Sequence, residues 1–324
     1  MSTRHDLLAL LADGAFHSGT ALGDRLGVSR AAVNKAVQAL IEAGVEIHSI
    51  PGRGYRLDEP FTPLSGDTIR GQLRARGIDV ALEVLEATDS TSQHLLRAPA
   101  GEVRGARACI AEMQSAGRGR RGRGWVATPF HNILLSVGWR FESGPAALAG
   151  LSLAAGVAVL RALEAFGMPR AGLKWPNDIL IDGRKLAGLL VDLRGEATGP
   201  SFAVLGLGLN VHIAAAEAAQ IDQPWASLRE WLPAPVDRNR LAALLFGELA
   251  AMLAEFERRG FAAFRAAWER QHVFAGQIVR VRQAHGDAVG VVVGIDEHGA
   301  LQLREPSGVV RTLHSGDVSL RAAS

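Results

Sequence analysis

Gly117-Arg118-Gly119-Arg120-Arg121-Gly122-Arg123-Gly124-Trp125 is the stretch on which the reading of this chain turns. Gly117, Gly119 and Gly122 satisfy the spacing G-x-G-x-x-G, which in a doubly wound dinucleotide fold must open a helix. Here Gly124 and Pro129 break any such helix, and four arginines crowd the backbone that the motif exists to bare. A Walker loop is excluded as well, because Gly122 is followed by Arg123-Gly124 rather than Lys-Ser/Thr. What remains is a permissive ribbon of glycines carrying guanidinium groups that repel one another. Such a segment is expected to hold no single shape alone and to order around an anion, with phosphate or carboxylate in the guanidinium forks and Trp125 stacked on a base. A solvated loop and a nonspecific RNA-binding tract are the competing accounts.

Downstream, Lys174-Trp175-Pro176-Asn177-Asp178 leads through Ile179–Ile181 into Asp182-Gly183, and Arg184–Val191 follows. Asp-Gly between apolar runs predicts a two-residue hairpin turn. In that register Leu180 faces Lys185, Asp178 faces Ala187, and Asp178 and Lys185 are diagonal neighbours on one face. The alternative is an ordinary cross-strand ion pair. Phe202–Leu205 then runs into Gly206-Leu207-Gly208-Leu209-Asn210, a strand whose glycines mark a close approach to the backbone. Asn210 is either a ligand contact or a turn residue. Cys109, in an apolar run, is expected in the core, and neither a G-x-S-x-G elbow nor metal-ligand histidine spacing occurs.

Upstream, Ser18 and Ser29 are expected to cap two helices separated by Gly27-Val28, the helix-turn-helix pattern. Val33, Val37, Leu40 and Ile41 form the expected buried stripe of the second helix. Arg30, Asn34 and Gln38 recur every four residues on another face with Lys35 beside them, side chains suited to base edges and phosphate. Val45–Ile50, Pro51-Gly52-Arg53-Gly54 and Tyr55–Leu57 resemble a wing, to which Arg53 and Arg56 add charge. Residues 1–60 hold six Lys and Arg against seven Asp and Glu, so the segment as a whole is not basic and a helical bundle with a polar face competes. The acids Asp6, Asp13 and Asp24 sit on the first two helices, however, while the reading helix has none until Glu42. DNA binding is the stronger reading, with a dimer on paired half-sites to compensate for few phosphate contacts.

The frame around these signals is that of a globular chain: 324 residues, 48% hydrophobic and 21% charged, length enough for two or three domains. Its net charge of +2 confines any basic surface to local patches, and its one cysteine excludes a disulfide framework. The apolar run Ala146–Leu160 is too short to span a bilayer and reads as a buried helix. With no signal peptide at the N-terminus, the expectation is a cytoplasmic protein with no membrane partner. From residue 273 the pattern is all strand: Gln277–Val281, Gly290–Val293 and Ala300–Leu303, an expected small antiparallel barrel.

Together these residues resemble the bifunctional biotin–protein ligases that also repress biotin synthesis genes. The likeness rests on Phe16–Gly19, Ser29–Lys35, Asp89-Ser90-Thr91, Gln114, the glycine-arginine loop, Lys174–Asp178, Lys185–Gly188, Gly208–Asn210 and Ser319-Leu320-Arg321. It implies an α+β multidomain fold. A winged helix-turn-helix would occupy residues 1–65, an α+β ligase domain like the class II synthetases 66–272, and an SH3-like barrel 273–324. It implies that biotin and ATP form biotinyl-5′-AMP with Mg2+, and that a lysine of biotin carboxyl carrier protein then takes the biotin. Operator DNA and a homodimer formed on adenylate binding are the further implied partners.

By resemblance, Ser90, Thr91, Ser92, Gln114, Arg118, Gly119, Arg120 and Lys185 contact biotin. Arg118, Arg120, Arg121, Trp125, Lys174, Asn177, Asp178, Asn210 and Arg321 lie on the nucleotide side, with magnesium near Asp178. Lys185, Arg118 and Asp178 carry the chemistry, and Ser29, Arg30, Asn34, Lys35, Gln38, Arg53 and Arg56 meet DNA. Ser92 departs from the asparagine usual in the family. A lipoate–protein ligase is the nearest enzymatic alternative, and a ligand-sensing transcription factor without ligase activity the alternative from another class.

Overall fold

In the computed structural model, residues 3–97, 105–168, 170–196, 199–233, 235–282 and 286–314 are described, with the backbone of 319–322. The N-terminal segment comprises α1 (Thr3–Leu11), α2 (Gly19–Leu26), α3 (Arg30–Glu42) and the hairpin of β1 (Ile47–Ile50) with β2 (Gly54–Leu57). Its punctuation is chemical. The Ser18 and Ser29 hydroxyls accept from the Ala21 and Ala32 amides, and Gly27 ends α2 in the left-handed region at φ 66°. Val33, Val37 and Leu40 are buried as expected, but Ile41 is 39% exposed and Ala36 takes its place in the stripe. The helix turns its small residue to the core and leaves the branched one outside.

The central segment runs α4 (Gly66–Arg74), β3 (Ala81–Thr88), α5 (Thr91–Arg97), β4 (Arg107–Gln114), β5 (Ile133–Phe141), α6 (Leu151–Phe166), β6 (Gly172–Lys174), β7 (Asp178–Ile181), β8 (Arg184–Gly195), β9 (Ser201–Leu209), α7 (Ala215–Ala218), α8 (Arg238–Arg259) and α9 (Ala262–Gln271). Its seven strands form one mixed sheet in the order β3-β4-β5-β9-β8-β7-β6, with β3 and β4 parallel and every other pair antiparallel. The apolar stretch is longer than its sequence suggested. The apolar span Pro145–Phe166 is a 3-10 turn (Pro145–Leu148), a break at Gly150 (φ 79°) and the 16 residues of α6, and it is largely buried here. The side chains of α6 are apolar nearly all round because the helix lies within the main core with α8. On the other face of the sheet α5 packs with Leu95 over Cys109, Phe202 and Val204. Burial pushes the Cys109 thiol up to about 12, which makes it an inert core residue.

The C-terminal strands β10 (Ile278–Arg282), β11 (Ala288–Ile295), β12 (Leu301–Arg304), β13 (Val310–Leu313) and β14 (Ser319–Ala322) form an antiparallel sheet in the order β13-β12-β11-β10-β14. Val279, Val281, Val292 and Leu303 on its inner face are continuous with the core of the central sheet.

The N-terminal segment is not loosely tethered either. Phe130, held at φ 62°, inserts its ring into the core of the first segment beside Phe61. The extended connecting segment, residues 58–65, is clamped by Arg238, which is 1% exposed. Arg238 forms a two-pronged pair with Glu112 (2.7 and 3.0 Å) and donates to the Thr62 carbonyl (2.9 Å), while Glu112 accepts from the Leu64 amide (2.7 Å). Asn239 grips the same segment through Pro63 O and Ser65 N.

Two measurements follow from this packing. Glu112→Ala strands a buried guanidinium, which typically costs about 3–5 kcal/mol; a denaturant titration is expected to show a loss of that order with the slope preserved. Burial also holds His131 and His272 down at about 4, whereas unfolded imidazoles titrate near ~6.5. Between those values the unfolded chain binds more protons. The stability due to the neutral rings is therefore complete above about pH 6.5 and is lost as pH falls toward 4. Denaturation at pH 7 and pH 5 should show that loss, and His131→Asn with His272→Asn should flatten it.

Candidate active site

The α5 face of the sheet is only partly covered, and the remainder is a cleft of about 780 Å3. Strand register decides what faces it. Ser136 of β5 pairs with Gly206 of β9, which pairs with Leu190 of β8. One row along, Leu134 pairs with Gly208, Gly208 with Gly188, and Gly188 with Asp178. Residues in such a row share one face, so Gly206, Gly208 and Gly188 form a floor bare of side chains. What approaches that floor is Trp125. A Cβ on Gly208 would stand 2.3 Å from Trp125 Cε2, and one on Gly188 3.0 Å from its Cζ3. The close approach expected at the glycines of β9 thus comes from the protein's own indole. Trp125 Nε1 is buried without a hydrogen-bond partner among the described residues.

One end of the cleft is neutral and polar. Thr91 donates through both its amide (2.7 Å) and its hydroxyl (3.0 Å) to Gln114 Oε1. Ser136 Oγ lies 2.8 Å from Thr91 Oγ1 and 2.9 Å from Ser92 Oγ. Ser90, Thr91 and Ser92 are all buried at the start of α5. Asp89 anchors that start: it accepts from the Ser90 amide and from both terminal nitrogens of Arg97 (2.6 and 2.8 Å). The Arg97 guanidinium holds the Asp89 carboxyl well below the usual carboxylate range. The departure at Ser92 is accommodated because a hydroxyl there completes a bond to Ser136, and a Cβ on Gly206 would stand 2.6 Å from that oxygen.

The other end is cationic. Lys185 Nζ lies 2.8 Å from Asp178 Oδ1 and Lys174 Nζ 3.5 Å from Asp178 Oδ2, so one carboxylate sits between two ammonium groups. The expected pairing of Asp178 with Lys185 is present, but the register differs from the simple hairpin. Leu180 faces Lys185 as expected, whereas Asp178 faces Gly188 rather than Ala187. A bulge between Ile179 and Leu180 inserts one extra residue on β8, buried Leu186. Lys185 Nζ also lies 5.5 Å from the Trp125 ring centre.

In this structure the glycine-arginine segment is closed into a turn. Gly119 N donates to Arg123 O (2.7 Å) and Trp125 N to Gly117 O (2.9 Å), with Arg118 and Gly124 bridged. Arg120–Gly122 forms a single tight turn, with Arg121 at φ 60° and Gly122 at φ 72°. Glycine freedom permits this ring closure even among like charges. Arg118 is steadied by Asp192 (2.5 Å) and, with the Gln93 amide oxygen turned toward it, by Gln93 (2.7 and 3.3 Å).

Every expected ligand-contacting residue lines the cleft except Arg321. The backbone of Arg321 pairs with Arg280 in β14, and its side chain lies outside the described residues. Asn177 and Asn210 line it while donating to main chain, Asn177 to Leu189 O (2.6 Å) and Asn210 to Ala226 O (3.1 Å), so each fixes the shape of its own turn. The sequence reading missed Ser136, Gln93, Asp192, the Gln220–Trp225 wall and Phe274. Ser136 had a signal, a lone hydroxyl in the apolar strand Ile133–Val137. The others lie far along the chain from their partners and had none.

On the first segment, Arg30, Asn34, Lys35 and Gln38 are exposed on α3, and Ser29 spends its hydroxyl on capping. Asn34 Nδ2 donates to the Tyr55 hydroxyl (3.1 Å), and Arg53 and Arg56 lie over the Phe16 ring at 4.3 and 5.0 Å.

Comparison with known proteins meets the same three parts. Residues 84–210 match the Biotin/lipoate A/B protein ligase family, 274–321 the Biotin protein ligase C terminal domain, and 3–56 an HTH domain. The chain is 43% identical to the Bifunctional ligase/repressor BirA of Escherichia coli K12 over 98% of its own length and 97% of that protein's. It is 40% identical to the Biotin--[acetyl-CoA-carboxylase] ligase of Mycobacterium tuberculosis, over 79% of this chain and 95% of that one. Among solved structures, the biotin protein ligase from Aquifex aeolicus in complex with biotin and ATP superposes with a TM-score of 0.62 at 27% identity, covering 75% of this chain and 99% of that one. With identity of this level running nearly end to end, and with both a helix-turn-helix and a ligase segment in place, the chain belongs to the bifunctional ligase/repressor family of biotin protein ligases.

Proposed function

We propose that this chain joins biotin to ATP in the cleft, passes the biotin to a carrier lysine, and represses transcription through its helix-turn-helix segment. The observation that carries the reading is the polarity of the cleft. A neutral hydroxyl–amide end made by Thr91, Ser92, Gln114 and Ser136 adjoins a cationic end made by Lys174, Lys185 and the arginine loop. The first suits an uncharged ureido ring system, and the second suits a carboxylate and a triphosphate brought together.

The chemistry follows from that arrangement. A biotin carboxylate oxygen attacks the α-phosphorus of ATP, the bond from that phosphorus to the β-phosphoryl oxygen breaks, and pyrophosphate leaves. Two anions must meet, so fixed positive groups are the main requirement. Lys185 exchanges its Asp178 partner for the carboxylate and transferring phosphoryl group, while Arg118 and Arg120 enclose the adenylate with the Gly119 backbone. Arg121, Lys174, Asn177, Asn210 and Arg321 serve the nucleotide side, and Trp125 offers its face to the adenine. Among the described residues no cluster of three or more ligating side chains exists. Asp178 is the residue that would hold a magnesium ion brought with ATP, and the ion would supply further neutralisation of the phosphate charge. In the second step the carrier amine attacks the acyl carbon, the bond to AMP breaks, the amine loses a proton, and an amide forms. Closure of residues 117–125 keeps water from the mixed anhydride.

The division of labour assigns DNA to residues 1–65, adenylation to 66–272 and a supporting barrel to 273–324. Arg30, Asn34, Lys35 and Gln38 read bases and phosphates, Ser29 sets the helix start, and Arg53 and Arg56 contact the backbone from the wing. The carrier is the biotin carboxyl carrier protein of a carboxylase, and the setting is cytoplasmic. Adenylate binding fixes the loop, which lowers the ordering cost of forming a homodimer on two half-sites.

The direct test supplies biotin, ATP and a carrier domain and follows biotin transfer by streptavidin blot. ATP-dependent labelling is expected, and lipoate in place of biotin is expected to give none. Lys185→Ala should still fold, yet lose roughly 100- to 1,000-fold in pyrophosphate release; undiminished release removes Lys185 from the mechanism. For repression, sedimentation and operator titration with and without biotinyl-5′-AMP are expected to show tighter dimers and tighter DNA binding. If neither constant moves, the link between loop and dimer is wrong.

A further inference from the structure

The strand turn that carries Lys174, Asn177 and Asp178 is held from outside its own segment. Trp175, between Lys174 and Pro176, is fully buried and donates its indole N–H to the Gly299 carbonyl at 2.8 Å. Gly299 belongs to the turn between β11 and β12, far along the chain. That turn is stiffly built: Asp296 Oδ1 accepts from the His298 amide (2.9 Å) and the Ala300 amide (2.8 Å), and Asp296 O accepts from Gly299 N (3.1 Å). Gly299 sits at φ 82°, and a Cβ there would stand 2.6 Å from Leu153 Cδ1 and 3.2 Å from Gly150 Cα. The turn is therefore pressed against the start of α6 with no room for a side chain. A second grip lies just upstream, where Val273 N donates to Leu173 O (2.9 Å). Phe274, the next residue, lines the cleft.

We infer that the Asp296–Ala300 turn is a positioning element of the adenylation site, acting through the Gly299 carbonyl on Trp175 and so on the Lys174–Asp178 turn. β6 is three residues long at the edge of the sheet, too short to fix that turn by its ladder alone. Trp175 stands between Lys174 and Asp178 in the chain and is the fully buried residue that anchors their turn in the core, so its indole sets where the two charged residues stand. Asp178 in turn holds Lys185 (2.8 Å), and a shift of the turn misplaces both ammonium groups relative to the phosphate. Gly299 lies outside the cleft lining, and Trp175, though it lines the cleft, is fully buried and carries no charge; both are positioning residues. This inference rests on the reading of the cleft as an adenylation site.

The test uses the full chain and three variants. Trp175→Phe keeps an aromatic filler and removes the N–H. Asp296→Ala removes the acceptor that shapes the turn, and Asp296→Asn restores that acceptor. Biotin affinity is read by calorimetry, and kcat and KM for ATP by pyrophosphate release. Trp175→Phe and Asp296→Ala are expected to lower kcat roughly 10- to 100-fold, the size of effect that a misplacement of about 1 Å produces. KM for ATP should rise, biotin affinity should stay within twofold of the parent, and Asp296→Asn should return kcat close to the parent value. If kcat is unchanged in both defective variants, the turn positions nothing. If biotin affinity, kcat and melting temperature fall together and Asp296→Asn does not restore them, the turn is merely structural, and the inference is equally overturned. A parent protein that releases no pyrophosphate with biotin and ATP instead defeats the adenylation reading itself.

Discussion

A sheet packed by helices on one face can bring a bulky ring flat against its other face only where that face is bare of side chains. In this protein the constraint is met by Gly188, Gly206 and Gly208, which register brings into adjoining rows at the centre of seven strands. The indole of Trp125 lies against two of them, closer than any Cβ would allow. The polar end of the cleft depends on the same bareness, since a side chain at Gly206 would displace the Ser92 hydroxyl from Ser136. The cationic end depends on the bulge at Leu186, which inserts a buried leucine while Lys185 still faces Leu180 across the hairpin and pairs with Asp178. Glycines and one inserted residue thus decide where every charged group stands.

The three sequence segments are bound together more tightly than a chain of beads. Arg238 and Glu112 are both lost to solvent, and the extended chain leaving the DNA-binding segment is hydrogen-bonded to each. Replacing such a pair by apolar residues is often neutral or stabilising, so its retention is weak evidence for stability alone. Its geometry does something more specific, because the guanidinium can satisfy the Thr62 and Asn132 carbonyls only when the connecting segment lies in one place. At the other end, the inner face of the C-terminal sheet shares a core with the central one. Relative motion of either outer part therefore requires breaking buried contacts, the Arg238–Glu112 clamp and the Phe130 ring on one side and the shared apolar core on the other.

Local chemistry made much of this legible in advance. Ser18, Ser29 and Gly27 act within a few residues of themselves, and their caps stand as read. Asp182-Gly183 turned the hairpin, and Lys185 met Asp178. What failed to show was nonlocal. The bulge carries no residue signature, since Leu186 and Ala187 are ordinary strand residues. Ile41 was misassigned because a helical stripe leaves its edges ambiguous until the packing partner is known. Arg238 stands in the charged run Asp237–Arg240 at a helix start, and nothing near it in the sequence announces Glu112. Asp192 and Gln93 hold Arg118 across long separations. Pairings of that kind exist only once the sheet has formed.

One further signal lay in the composition, where it is easily overlooked. The 35 basic residues of the chain include only three lysines: Lys35, Lys174 and Lys185. At an exposed position whose task is solubility either residue type serves, and here arginine fills almost all of them. Arginine is a broad planar fork, whereas lysine is a compact charge on a flexible stem. In the proposed adenylation, phosphorus passes from tetrahedral to trigonal bipyramidal geometry, and a compact charge can follow it because it imposes no bidentate plane. Two of the three lysines flank Asp178 in the cleft, and the third lies on the reading helix. In a chain so biased toward arginine, two of the three lysines fall in one cleft, a concentration that marks the centre of the site in composition alone.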